Sequence, residues 1–151
     1  MYKKINIDGN SVDFKCSAAT NILYKRLFGK SLSTEIASMA TLSSSAYKMI
    51  EELNKLQENK EENNEKILDL LAENTSIVDL TDRTEKIGPQ MAYIMWLEAN
   101  KPQRELFQRL TEEAYILWLT SFEKGDMNNV YTELMNLWTD TNKTNSNLKN
   151  V

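Results

Sequence analysis

Lys4-Ile5-Asn6-Ile7-Asp8-Gly9-Asn10-Ser11-Val12-Asp13-Phe14-Lys15-Cys16 reads as a β-hairpin over residues 3–16, and it runs straight into a helix, Thr20 to Gly29, that closes on Phe28-Gly29-Lys30. Ile5 and Ile7 alternate with polar neighbours, and Val12, Phe14 and Cys16 resume the alternation on the return strand. Between them Asp8-Gly9-Asn10 supplies residues that tolerate positive φ, as a tight hairpin turn requires. One hairpin face is therefore apolar. An isolated two-stranded hairpin is marginal in water, so that face must lie on something, and the next segment is the nearest candidate. There Leu23 and Leu27 share a stripe with Tyr24 and Phe28 beside it, while Lys25, Arg26 and Lys30 take the polar side.

Away from the hairpin the chain reads as helix. Its 151 residues are 41% hydrophobic with only 4 Gly and 2 Pro, a composition that favours long helices over a turn-rich β architecture. The expected fold is mainly α, a helical bundle with an N-terminal β-hairpin and a disordered C-terminal tail. One globular domain is expected over 1–139, with helices over 20–139 and a polar segment at 57–66, and a flexible tail over 140–151. That tail is rich in Asp, Asn, Thr, Ser and Lys with only Leu148 and Val151 apolar, too little to offset the entropy of ordering it.

The helical pattern has several candidate breaks. After Gly29, Ser31 or Ser33 can cap a short helix with Leu32, Ile36 and Met39 inward, and Ser43-Ser44-Ser45 punctuates it. Ala46, Met49, Ile50, Leu53 and Leu56 mark the next helix. Glu58 to Lys66 has no apolar residue and is either a solvent-exposed helix or a loop, after which Ile67, Leu68 and Leu71 resume the pattern towards Ile77 and Val78. Gly88-Pro89 reads as a boundary that opens a helix buried on several sides, with Met91, Ala92, Met95, Trp96 and Ala99 on one stripe. Asn100-Lys101-Pro102 breaks it, and Leu106, Phe107 and Leu110 make a further turn or two. Thr111 then caps a helix whose Ala114, Leu117, Trp118 and Phe122 point inward until Gly125. Asp126 can cap the last helix, where Met127, Val130, Leu134, Leu137 and Trp138 form the cleanest stripe.

Little in these residues points to catalysis. The chain has no His and a single Cys16, which removes imidazole bases, Cys and His metal sites and Ser-His or Cys-His pairs. Cys16 reads as a buried structural thiol. Glu61-Glu62, Glu112-Glu113 and Asp79 with Asp82 lie in polar surroundings, where a solvated face accounts for them, and no phosphate-cradling Gly loop or GxSxG is present. No enzyme, catalytic residue, metal or cofactor is expected. A net charge of −4 argues against a nonspecific nucleic-acid binder. The start lacks an apolar signal region and the longest apolar run, Ala114 to Leu119, is too short to span a bilayer, so no membrane partner and a cytosolic location are expected. Met91, Met95, Trp96, Trp118, Phe122, Leu134 and Trp138 admit two readings: core stripes, or an adaptable Met- and aromatic-rich groove that binds a partner.

Ile7-Asp8-Gly9, Val12, Phe14-Lys15, Ala19-Thr20, Tyr24, Arg26 and Phe28-Gly29-Lys30, in that order and spacing, resemble the start of the tail assembly chaperones of long-tailed bacteriophages. Met91-Ala92-Tyr93-Ile94-Met95 is similar to that family's central helix, and Trp118-Leu119-Thr120-Ser121-Phe122-Glu123 to its Trp-Leu-x-Ser-Phe segment. The polar stretch between Ser43 and Lys66 is longer than the family pattern. The resemblance implies structural roles for Asp8, Gly9, Phe14, Tyr24, Phe28 and Gly29. It implies a protein that binds the tape-measure protein, keeps it soluble and extended in the cytoplasm of the infected bacterial host, and is absent from the mature virion. It further implies a programmed frameshift, with this chain as the short form and a longer form recruiting the tail tube protein. Leu148-Lys149-Asn150 can be encoded by a run on which tRNAs slip back one base. Self-association is compatible with many copies on one chain. The alternative is a small helical adaptor or regulatory phage protein that binds a host factor.

Overall fold

The computed structural model describes residues 1–73, 76–122 and 127–149, without the side chains of residues 76, 128 and 144–149. Among the described residues two strands, β1 (Tyr2–Ile7) and β2 (Asn10–Lys15), are followed by seven helices: α1 (Thr20–Phe28), α2 (Leu32–Gln57), α3 (Asn64–Glu73), α4 (Ser76–Asn100), α5 (Gln103–Gln108), α6 (Glu112–Leu119) and α7 (Met127–Lys149). The fold is mainly α with an antiparallel hairpin at its N-terminus. Contacts divide the chain into two compact units, one of residues 1–33 and 87–151 and one of residues 34–86.

In the first unit the hairpin forms as its alternation requires. Asp8 and Gly9 adopt φ of 53° and 77°, the left-handed pair that lets a two-residue turn follow the twist of the strands. The register sets Ile5 opposite Val12 and Lys3 opposite Phe14, so Ile5, Ile7 and Phe14 share the face that is buried. The strands are prolonged by Cys16 N–H donating to Met1 O at 2.9 Å and by the N-terminal amine donating to Cys16 O at 2.8 Å. α7 packs along β1, where Lys3 Nζ lies 3.0 Å from Glu133 Oε2. Gly29, at φ 85°, ends α1 in the left-handed cap, its N–H donating to Lys25 O. Asn21 Oδ1 of α1 then accepts from Ser33 N–H in the first turn of α2, at 3.0 Å. Met91 through Met95 and Leu97 of α4 are all buried, with Met127, Val130, Leu134 and Leu137 of α7.

In the unit of residues 34–86, Ala46 and Met49 are buried and Leu53, Leu56, Ile67, Leu70 and Leu80 half-buried. Arg83 Nη1 donates to Ser38 Oγ at 2.7 Å. Asn63 Nδ2 donates to Leu56 O at 3.2 Å across the turn of residues 58–63. The polar segment is thus a turn that ends at Asn63, with Asn64 to Lys66 already helical.

Three sequence expectations are corrected. Ser43-Ser44-Ser45 does not break α2, which runs unbroken for 26 residues; Ser costs a helix interior only a few tenths of a kcal/mol up to about 0.7, and packing of Ala46 and Met49 outweighs it. Gly88-Pro89 lies inside α4. The first unit resumes at Ile87, so the pair marks a change of packing partners along one helix rather than a helix end. α7 itself is assigned as far as Lys149, with Thr141 buried and its hydroxyl donating to Leu137 O at 2.8 Å. Leu117 is 70% exposed instead of inward. The expected Asp126 cap and the Gly125 stop fall outside the described residues, as do Asn150 and Val151.

Candidate functional site

α4 and α6 each carry a tyrosine three residues before a tryptophan, Tyr93 and Trp96 on one and Tyr115 and Trp118 on the other. Side chains three apart fall on the same helix face, so each helix presents a pair of rings. In the first unit these pairs meet. Tyr93 and Trp96 stack with centroids 6.2 Å apart and planes 19° from parallel. Trp118 lies 5.4 Å from Tyr93 and 5.9 Å from Trp96, and Phe122 meets Trp118 edge-on at 4.9 Å. On the other side Tyr115 links Tyr93, at 5.4 Å, to Phe28 of α1, at 5.2 Å, and Phe28 meets Tyr24 at 5.0 Å. Offset and edge contacts of this kind contribute about 0.5–1.5 kcal/mol each beyond burial.

Local sequence positions both helices. Thr111 Oγ1 accepts from Ala114 N–H at 3.2 Å and starts α6, with Glu112 and Glu113 in its first turn. Tyr93 donates its hydroxyl to Arg109 O at 2.6 Å, tying α4 to the end of α5. Burial pushes the Tyr93 and Tyr115 phenols above their ordinary range, so both stay protonated. Trp118 Nε1 is buried with no acceptor among the described residues, so the indole is held by packing alone.

Over these rings opens a cavity of about 320 Å³ lined by Tyr93, Trp96, Arg109, Ala114, Leu117, Trp118 and Ser121. Its floor is aromatic, its rim carries the exposed Leu117, and Arg109 supplies the cationic edge. Lys101 Nζ sits 5.5 Å from the Trp96 ring centroid. Such a surface can take apolar side chains of another chain.

Of the residues proposed from sequence for partner binding, Trp96, Trp118 and Phe122 come together here. Met91, Met95 and Leu134 are core residues, each at most 1% exposed, and offer no surface to a partner. Trp138 is half-buried on α7. Tyr93, Tyr115, Arg109 and Leu117 complete the cavity and its ring support, and the repeated Tyr-x-x-Trp spacing was the signal for two of them. Among the family-like positions, Phe14 and Tyr24 are buried, Asp8, Gly9 and Gly29 hold the positive-φ turns, and Phe28 joins the ring chain.

The carboxylates are distributed differently. Asp79 and Asp82 line a cavity of about 450 Å³ in the unit of residues 34–86, beside Arg83, Ser38, Thr41 and Leu42. Glu61, Glu62, Glu112 and Glu113 are exposed. Among the described residues no group of three or more Cys, Asp or Glu side chains is placed to hold a metal ion, and no helix is long and apolar enough to cross a membrane. Cys16 is buried, and desolvation raises its thiol pKa, which favours the protonated thiol. Glu98 receives hydrogen bonds from Ser17 Oγ and, at 2.5 Å, from Thr20 Oγ1, a contact that pins the loop after β2 to α4. A scan against protein-family models finds no match to this chain, and neither a search of curated proteins nor one of solved structures returns a significant match.

Proposed function

We propose that this chain is a tail assembly chaperone of a long-tailed bacteriophage, which binds apolar helical stretches of the tape-measure protein while the tail is built. The observation that carries the binding role is the aromatic cavity under Leu117. Seven rings pack behind a surface that exposes apolar side chains, an arrangement suited to modest, reversible contacts with many similar segments. The tail context comes from the hairpin and helix residues 7–30, whose order resembles that family. On this reading the longer frameshifted form would bring the tail tube protein, and the chaperone would leave before the virion is complete.

The test is co-expression with fragments of the tape-measure protein of the same phage. Fragments that are insoluble alone should stay soluble with the chain, and Leu117→Asp should weaken the complex about tenfold, since it sets a carboxylate on the apolar rim. Mass spectrometry of the gene expressed with its downstream sequence should reveal a minor longer product sharing this N-terminus. Fragments that neither bind nor gain solubility would overturn the proposal and favour an adaptor that binds a host factor.

A further inference from the structure

The unit of residues 34–86 leaves apolar surface uncovered in a regular way. α3 has no buried residue, although half of its circumference is apolar. At about 100° per residue, Leu68 and Leu71 fall between the half-buried Ile67 and Leu70 on one side and the acidic line of Glu65, Asp69 and Glu73 on the other. They are 61% and 50% exposed. α2 repeats the arrangement. Its Ile50 and Tyr47, 46% and 65% exposed, lie between the inward Met49 and Leu53 and the exposed Glu51. In each helix the apolar arc is wider than the unit itself covers, and the surplus borders carboxylates.

Charge identifies what fits such a strip. Residues 34–86 carry twelve Asp and Glu against six Lys and Arg, a net charge of −6, whereas the rest of the chain carries +2. A second copy laid on the same strip would bring −6 against −6, which opposes self-pairing there. We infer that the Leu68–Leu71 strip of α3, with its acidic border, docks a cationic amphipathic helix: a partner with apolar side chains at three- and four-residue steps flanked by Lys or Arg. Apolar contact supplies the affinity and the border carboxylates set the partner's orientation. This rests on the reading above only in taking the chain to bind helices; the surface is a different one.

The probe is a labelled synthetic helix with Leu on one face and Lys on both flanks, beside its twin with Glu in place of Lys, titrated with the full chain and followed by fluorescence anisotropy. The Lys peptide should bind, more weakly as salt rises, and the Glu peptide at least about tenfold more weakly. The double variant Leu68→Ser with Leu71→Ser should lose about tenfold or more in affinity for the Lys peptide. Both side chains are half or more exposed, so the variant should keep the parent's circular dichroism spectrum and melting temperature. Asp69→Asn with Glu73→Gln should flatten the salt dependence, and Ile22→Ser, an equally exposed apolar change on α1, should leave binding unchanged.

Equal binding of both peptides, unchanged binding by the double variant, or self-association in sedimentation that the double variant abolishes would each overturn the inference. A Lys peptide that fails to bind a chain that keeps tape-measure fragments soluble would also overturn it while leaving the proposed function in place. A Lys peptide that binds a chain indifferent to tape-measure fragments would support it with that function removed.

Discussion

Glu98 is a half-buried carboxylate that two hydroxyls hold from 81 and 78 residues away in sequence. Loss of water around it raises its pKa, and the hydrogen bonds from Ser17 and Thr20, with the charges of Lys15 and the N-terminal amine, only partly offset that. The sign of the stability effect follows from the direction of the shift. The folded chain holds the Glu98 proton more tightly than the unfolded chain does. Its contribution is therefore greatest below the ordinary glutamate value of about 4.3 and is lost as pH rises through the folded value. Glu98→Gln keeps the shape and removes the titration. Its stability relative to the parent should rise over that window and then level off, as read from urea unfolding at a series of pH values; parallel profiles would refute the assignment. None of this was legible locally, because Glu98 reads as one more polar residue at the end of a helix.

At the scale of elements, α4 departs furthest from local expectation. Pro89 has no N–H to donate to the carbonyl of Glu85, and proline in a helix interior costs about 3 kcal/mol relative to alanine. The helix persists because its packing requires it. A Cβ on Gly88 would lie 2.7 Å from Cγ of Tyr131, so the bare glycine lets the α7 ring rest on the α4 backbone, and Pro89 itself is buried. Pro89→Ala restores the hydrogen bond but removes two buried methylene groups, at about 0.8 kcal/mol each. The variant should be more stable than the parent by about 1 kcal/mol in denaturant unfolding. A loss of stability would mean that the proline's own contacts outweigh the broken ladder. α7 shows the same effect at its C-terminal end. Its composition past Thr139 is that of a tail, yet Thr141 is buried against its own helix and near the Cys16 thiol, so packing extends an element that propensity would end.

For the whole molecule, the division between enclosed and exposed apolar side chains decides which changes affect stability and which affect binding. Leu134 is fully buried, and Leu134→Ala should cost about 2–5 kcal/mol, the range for emptying a leucine site in a packed core. Leu117→Ala should stay within about 0.5 kcal/mol of the parent, because its side chain already faces water. Paired thermal and urea melts of the two variants test this, and equal losses would show that Leu117 is packed after all. By itself the sequence determined the hairpin with its Asp8-Gly9 turn, the Gly29 stop, the Thr111 cap and the inward stripes of α1 and α7. Each rests on a preference that a residue expresses within a few neighbours: a tolerated φ, a capping oxygen, a period of two or 3.6. Only the tertiary structure decided that α2 and α4 run through their serine and proline signals, that Met91, Met95 and Leu134 are core while Trp96 and Trp118 floor a cavity, and that Leu117 and Leu68 face outward. Burial depends on what stands opposite a side chain, and residues distant in sequence supply that.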